Sequence, residues 1–149
     1  MSENSPQPLY RLRITDDFSS SHQLRHYQGK CEELHGHNFQ VRVEVEGTRL
    51  EPETGILMDF KELKKQVKTV LQTLDHRHLN DLEPFVQENP SSENLARYIY
   101  TQLKSLLSQY PVRLKEVSVA EKESSEAIYS EIQGELRPQP KGSRFTVHG

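Results

Sequence analysis

Within one short stretch of this chain, His22, Cys31, His35 and His37 supply its only thiol and three of its 7 imidazoles. His35 and His37 are two positions apart. On an extended strand such residues point to the same face, so both can reach one ion. Gly36 between them has no side chain to crowd that ion. His22 as a third ligand makes a three-histidine site, the zinc arrangement that leaves one coordination position open for chemistry. Cys31 then sits beside the metal without being needed as a ligand. One cysteine cannot build a thiolate-rich structural zinc site, and no H-E-x-x-H helix of a zinc peptidase is present.

Two further candidates follow along the chain. Asp75 and His76 are adjacent, and a carboxylate beside an imidazole can orient it and favour its charged form. Neighbours on a regular element point apart, so this contact needs an irregular backbone or a partner from elsewhere. A histidine near a helix C-terminus also suits the helix dipole without further function. Glu121 ends a strand pattern in Val117, Ser118 and Val119. A carboxylate there can accept two parallel N–H bonds from a heterocycle. Read by itself, it is a solvated charge in a Glu-rich stretch.

The elements that must hold these residues are legible from periodicity. Tyr10, Leu12 and Ile14 alternate with Arg11, Arg13 and Thr15 as in a half-buried strand. Residues 19–34 read as a loop or distorted hairpin. Phe39, Val41, Val43 and Val45 form the clearest strand, and His35-Gly36-His37 leads into it. Asp59 caps a helix whose apolar face is Phe60, Leu63, Val67, Val70, Leu71 and Leu74. Ser91 or Ser92 caps a second helix, with Leu95, Ala96, Ile99, Leu103, Leu106 and Leu107. Residues 113–121 and 127–133 read as the last two strands. The order β-β-α-α-β-β predicts an α+β fold with two helices on one face of a four-stranded antiparallel sheet. Residues 1–8 read as a flexible lead-in, 9–133 as one domain and 134–149 as an extended tail.

Bulk properties narrow the function classes. Both signs of charge are interspersed, with a net charge of −3, so no basic stripe for nucleic acid and no membrane-binding face is visible. No apolar run is long enough to span a bilayer. The single cysteine, and the polar start of the chain without a leader, predict a cytoplasmic protein. Hydrophobic residues make up 33% and tryptophan is absent, a lean supply for an isolated core that points to shared surfaces between subunits.

Taken together, these segments resemble the 6-pyruvoyltetrahydropterin synthase family, and within it the 6-carboxytetrahydropterin synthase branch of queuosine biosynthesis. The resemblance is carried by Phe18 to His22, Cys31 to Asn38, Gly55 to Phe60, Leu74 to His76 with Leu79-Asn80, and Asn89 to Ala96. It implies the tunnelling fold, with trimers stacked into a hexamer and active sites between subunits. It implies Zn2+ on His22, His35 and His37, Cys31 as the catalytic thiol, Asp75 and His76 as the second proton-handling group, and Glu121 as the pterin anchor. His76 and the zinc could then come from different subunits. The implied reaction converts 7,8-dihydroneopterin triphosphate to 6-carboxy-5,6,7,8-tetrahydropterin, releasing acetaldehyde and triphosphate. The spacing of Cys31 and His35 is that of the carboxy-forming branch. A pyruvoyl-forming or other side-chain lyase, and a zinc-containing pterin- or purine-binding protein without turnover, remain open. The chain departs from the family pattern at Lys122, where threonine is usual, and at Ser21, where alanine is more common.

Overall fold

A computed structural model of the chain describes residues 5–28 and 33–134. Cys31, the first four residues and nearly all of the C-terminal tail lie outside the described residues.

Strands β1 (Tyr10–His22) and β2 (His35–Gly47) pair antiparallel along their whole length, ending in the pair His22 and His35. Strand β3 (Arg113–Lys122) pairs with β2, and the short β4 (Ser125–Tyr129) pairs with β3. The sheet order is β1-β2-β3-β4. Helices α1 (Phe60–Leu71) and α2 (Ser92–Leu107) cover one face, as the sequence pattern predicts. Alternation decides which side chains they cover. Ile14 and Phe18 from β1, Val41 and Val43 from β2, and Val117 and Val119 from β3 are all buried. Leu63, Val67, Leu95, Ile99 and Leu103 pack onto them from the helices.

Both helices begin as expected. The Asp59 carboxylate accepts from Lys61 N, and Ser91 Oγ accepts from Asn94 N. Phe60 is 51% exposed, so it does not join the core; it is the first helical residue and precedes the packed turn. Leu74 is buried although α1 has already ended.

Three readings need correction. Residues 19–22 are strand, not loop. The serines Ser19, Ser20 and Ser21 pair with Asn38, His37 and Gly36, and tertiary pairing overrides their weak strand preference. Strand β4 starts and ends earlier than 127–133, because Ser125 already pairs with Lys122. Gly36 does not spare the ion from crowding. It alternates to the face away from the imidazoles, and a Cβ added there meets nothing within 4 Å.

The uncovered face of the sheet carries ion pairs instead of apolar contacts. Glu44 and Glu46 are buried beneath Arg11, Arg13 and Arg113, with Arg13 Nη2 2.7 Å from Glu44 Oε1. This is how a chain lean in hydrophobic residues covers a second sheet face. Among the described residues, no helix is long and apolar enough to cross a membrane.

Candidate active site

The paired ends of β1 and β2 bring His22, His35 and His37 together, and the end of β3 adds Glu121. One donor atom from each of the four lies within 4.8 Å of all the others. Donors around a tetrahedral zinc ion are about 3.4 Å apart, so a small contraction suffices. Glu121 Oε1 is 3.2 Å from His22 Nε2, and its Oε2 is 3.3 Å from His37 Nε2. The ring of Phe39 stands edge-on to His22 at 5.1 Å and to His37 at 5.8 Å. The core therefore forms one wall of the cluster.

The tautomers are set by carbonyl groups, which can only accept. His22 Nδ1 is 2.8 Å from Pro90 O, and His35 Nδ1 is 2.8 Å from Glu33 O. Each Nδ1 must carry the hydrogen, so each neutral ring has its lone pair on Nε2. His22 is fully buried, and its Nε2 has no hydrogen-bond partner. Facing Glu121, that lone pair meets a carboxylate oxygen, which is repulsive unless a proton or a cation lies between. Burial lowers the His22 pKa, the largest influence on it, so a proton is disfavoured. A divalent cation resolves the conflict, because it binds the neutral imidazole and its charge suits an ionised carboxylate beside it. Three imidazoles fit zinc and leave its fourth position open, and the Glu121 carboxylate beside them balances the charge of the ion.

The segment 80–94 clamps the backbone that carries His22. Asn80 accepts from Gln23 N at 2.9 Å and donates to Gln23 O at 2.8 Å. Asn89 does the same with Arg25 N and O, both at 2.7 Å. The two amides act as surrogate strand partners for the backbone that leaves β1. Arg25 donates to the carbonyls of Phe85 and Glu88, and Asn94 donates to Asn89 O. Pro90, next to this clamp, supplies the carbonyl that orients His22. Nothing local around Asn80 or in the Asn89 to Ala96 segment signals these roles of Pro90 and the two asparagines, because their partners lie more than fifty residues away. Asn89→Ala should lower the melting temperature and weaken metal retention roughly 10- to 100-fold, the usual effect of losing an outer-shell partner. Thermal denaturation and competitive zinc titration would check it, and unchanged zinc affinity would remove the clamp from the metal site.

Asp75 and His76 do touch, through an irregular backbone. His76 has φ of +55°, a left-handed conformation that turns the two adjacent side chains toward each other. His76 Nδ1 is 2.9 Å from Asp75 Oδ2, while Asp75 Oδ1 accepts from Ser19 N at 2.8 Å. That backbone N–H, and then His76, hold the Asp75 carboxyl below the usual range. Donation from His76 N to Ser19 O and from Ser21 N to Arg77 O lays this segment along the edge of β1. His78, which the sequence left unassigned, meets Ser21 Oγ at 3.0 Å.

The His76 side chain is 83% exposed. It lines an open cavity of about 590 Å³ with Ser19, Ser20, Ser21, Gly36, His37 and Asn38. By alternation Ser19, Ser21, Gly36 and Asn38 face away from His22 and His35. The dyad opens on a cavity that His37, one of the three clustered imidazoles, also borders. Glu121, in contrast, lines a second cavity of about 570 Å³ between the start of α2 and the β3–β4 hairpin.

The profile of the 6-pyruvoyl tetrahydropterin synthase family matches residues 11–132. The chain is 43% identical over 91 residues to a 6-carboxy-5,6,7,8-tetrahydropterin synthase of Synechocystis, covering 58% of this chain and 69% of that one. It is 43% identical over 111 residues to a dihydroneopterin monophosphate aldolase of Pyrococcus furiosus, covering 74% and 89%. The solved structure of the Caenorhabditis elegans 6-pyruvoyl tetrahydropterin synthase superposes with a TM-score of 0.73 at 30% identity, over 85% of this chain and 98% of that one.

Proposed function

The chain belongs to the 6-pyruvoyl tetrahydropterin synthase family and is a pterin side-chain lyase, and on that premise we propose that it is a zinc-dependent 6-carboxytetrahydropterin synthase of queuosine biosynthesis. Its substrate is 7,8-dihydroneopterin triphosphate. Its products are 6-carboxy-5,6,7,8-tetrahydropterin, acetaldehyde and triphosphate. The observation that carries the metal part of this reading is the buried, unpartnered His22 Nε2 facing Glu121 within a three-imidazole cluster.

His22, His35 and His37 hold the ion. When bound, zinc supplies a Lewis acid for the side-chain hydroxyl oxygens of the substrate. The chain's own residues do the rest. Cys31, close in sequence to His35, takes a proton from the side chain as a thiolate. The Asp75–His76 pair handles the second proton, with the carboxylate orienting the imidazole. Glu121 accepts two N–H bonds from the pterin ring in the cavity it lines. It is the one member of the cluster that borders both the metal and that cavity.

The assembly is part of the proposal. Strands β1 and β4 are the edge strands of the sheet; residues 76–77 lie along the Ser19–Ser21 part of β1, and Ile128 on β4 is 56% exposed. Pairing such edges between copies gives closed rings, and two trimers stack into the hexamer. The dyad of one subunit then serves the metal of another. A cytoplasmic location completes the reading, since a free thiol suits a reducing compartment.

The test is product analysis. Zinc-loaded protein with 7,8-dihydroneopterin triphosphate should give carboxytetrahydropterin and acetaldehyde by mass spectrometry. Cys31→Ala should lower turnover by on the order of 100-fold or more while leaving zinc content unchanged. A pyruvoyl product reassigns the branch. Formation of 6-hydroxymethyldihydropterin with the triphosphate ester of glycolaldehyde instead favours aldolase-type cleavage, the second reading that the similarity to the Pyrococcus enzyme supports. Binding without any product leaves a non-catalytic pterin protein.

A further inference from the structure

Glu121 and Lys122 are neighbours on a strand, and regular alternation would send their side chains to opposite faces. The register of β3 against β4 breaks here. Val119 pairs with Ala127 and Lys122 with Ser125, so β3 holds one extra residue between the two pairs. Such a bulge re-aims side chains. Both Glu121 and Lys122 consequently line the same cavity of about 570 Å³, together with Ser91, Ser92, Ser125 and Ile128. That volume suits a ligand with one fused heterocycle.

The other charged groups of the cavity are accounted for locally. Glu126 lies 3.5 Å from Arg42 and accepts from Ser118 Oγ. Glu93 sits in the first turn of α2, where a carboxylate complements the helix dipole. The Lys122 ammonium has no ion-pair or hydrogen-bond partner among the described residues. It is exposed toward the cavity with three donors uncommitted.

A pterin ring presents a donor, a second donor and an acceptor along one edge: the 2-amino group, N3–H and the C4 carbonyl. A carboxylate satisfies the two donors and leaves the carbonyl. Burying that carbonyl without a donor costs affinity. We infer that Lys122 is a specificity-determining residue that donates to the C4 carbonyl while Glu121 takes the two adjacent N–H groups. This rests on Glu121 holding the pterin ring, as proposed above. Threonine, usual at this position in the resembled family, has a shorter neutral donor. A lysine gives a charge-assisted bond and selects for rings with a carbonyl next to the N–H edge.

The test compares binding of 6-hydroxymethylpterin to the zinc-loaded full-length protein and to Lys122→Met, Lys122→Thr and Glu121→Gln by calorimetry. Infrared difference spectra with a 13C label at C4 follow the bound carbonyl. Lys122→Met should weaken binding about ten-fold or more, the range for a bond to a charged group, and should raise the carbonyl stretching frequency. Lys122→Thr should recover part of both changes, which a purely structural role for the lysine would not produce. If Glu121→Gln weakens binding but Lys122→Met changes neither affinity nor frequency, the role of Lys122 is overturned and that of Glu121 stands. If Glu121→Gln also binds as tightly as the original protein, or the original protein does not bind the pterin, the ring is not held by Glu121 and both readings fail.

Discussion

His22→Ala should yield a folded protein that retains less than about a tenth of an equivalent of zinc and has no measurable lyase activity. The reason lies in the asymmetry of the three imidazoles. His22 is the fully buried one, fixed by Pro90 O, and its Nε2 is the atom whose surroundings demand a cation. His37 and His35 are partly exposed, so only two imidazoles would remain, at the mouth of a widened site. A site with one ligand fewer exchanges its metal readily. The substitution also leaves Pro90 O without its donor, at a cost of about 1–3 kcal/mol. Elemental analysis reads the zinc directly. Thermal unfolding gives an independent measure, because an ion that binds only the native state raises the melting temperature of the original protein and not of the variant. Retention of stoichiometric zinc by His22→Ala would contradict the ligand assignment. Acid should release the metal as well. Burial depresses the His22 pKa from 6.5, so its folded-state proton competes with the ion only below the ordinary imidazole range.

The second large effect concerns where the dyad acts. His76→Ala should by itself lower turnover about 1000-fold, within the range for loss of a general acid or base. If dyad and metal belong to different subunits, mixed assemblies of two inactive variants will contain some intact sites. Unfolding and reassembling equal amounts of His22→Ala and His76→Ala should therefore restore activity to roughly a quarter of the original, since each site draws its two halves at random. The exposure of His76, whose ring meets Asp75 and none of the clustered imidazoles, leads to this expectation. No recovery, with assemblies shown to be mixed by mass, would mean that both halves act within one chain.

Much of this is legible in the order of the residues. The spacing of His35 and His37 on a strand, the alternation through Val45 and the helical repeat of Leu95 to Leu107 each follow from local geometry. Local periodicity is a property of consecutive residues, so it survives in the sequence. The fold class followed from the same signals, because two amphipathic helices and four strands have few ways to cover one another. The family resemblance added residue roles that no single motif carried.

Other features could not be read this way. Ser19 to Ser21 look like loop residues, and only their pairing with Asn38 to Gly36 makes them strand. That pairing is what aligns His22 with His35. Asn80 and Asn89 are ordinary loop asparagines until they are seen against Gln23 and Arg25, more than fifty residues away. Glu121 reads as one carboxylate among several, and its place beside His22 and His37 depends on how β3 ends. The contact between Asp75 and His76 required a left-handed backbone at a non-glycine residue, which local preference argues against. The sequence by itself determined which elements form and which side chains can bind a metal, because those depend on neighbours a few residues apart. The tertiary structure alone decided which of them meet, which tautomer each imidazole takes and which carboxylate faces them, because those depend on contacts between segments that chain order leaves far apart.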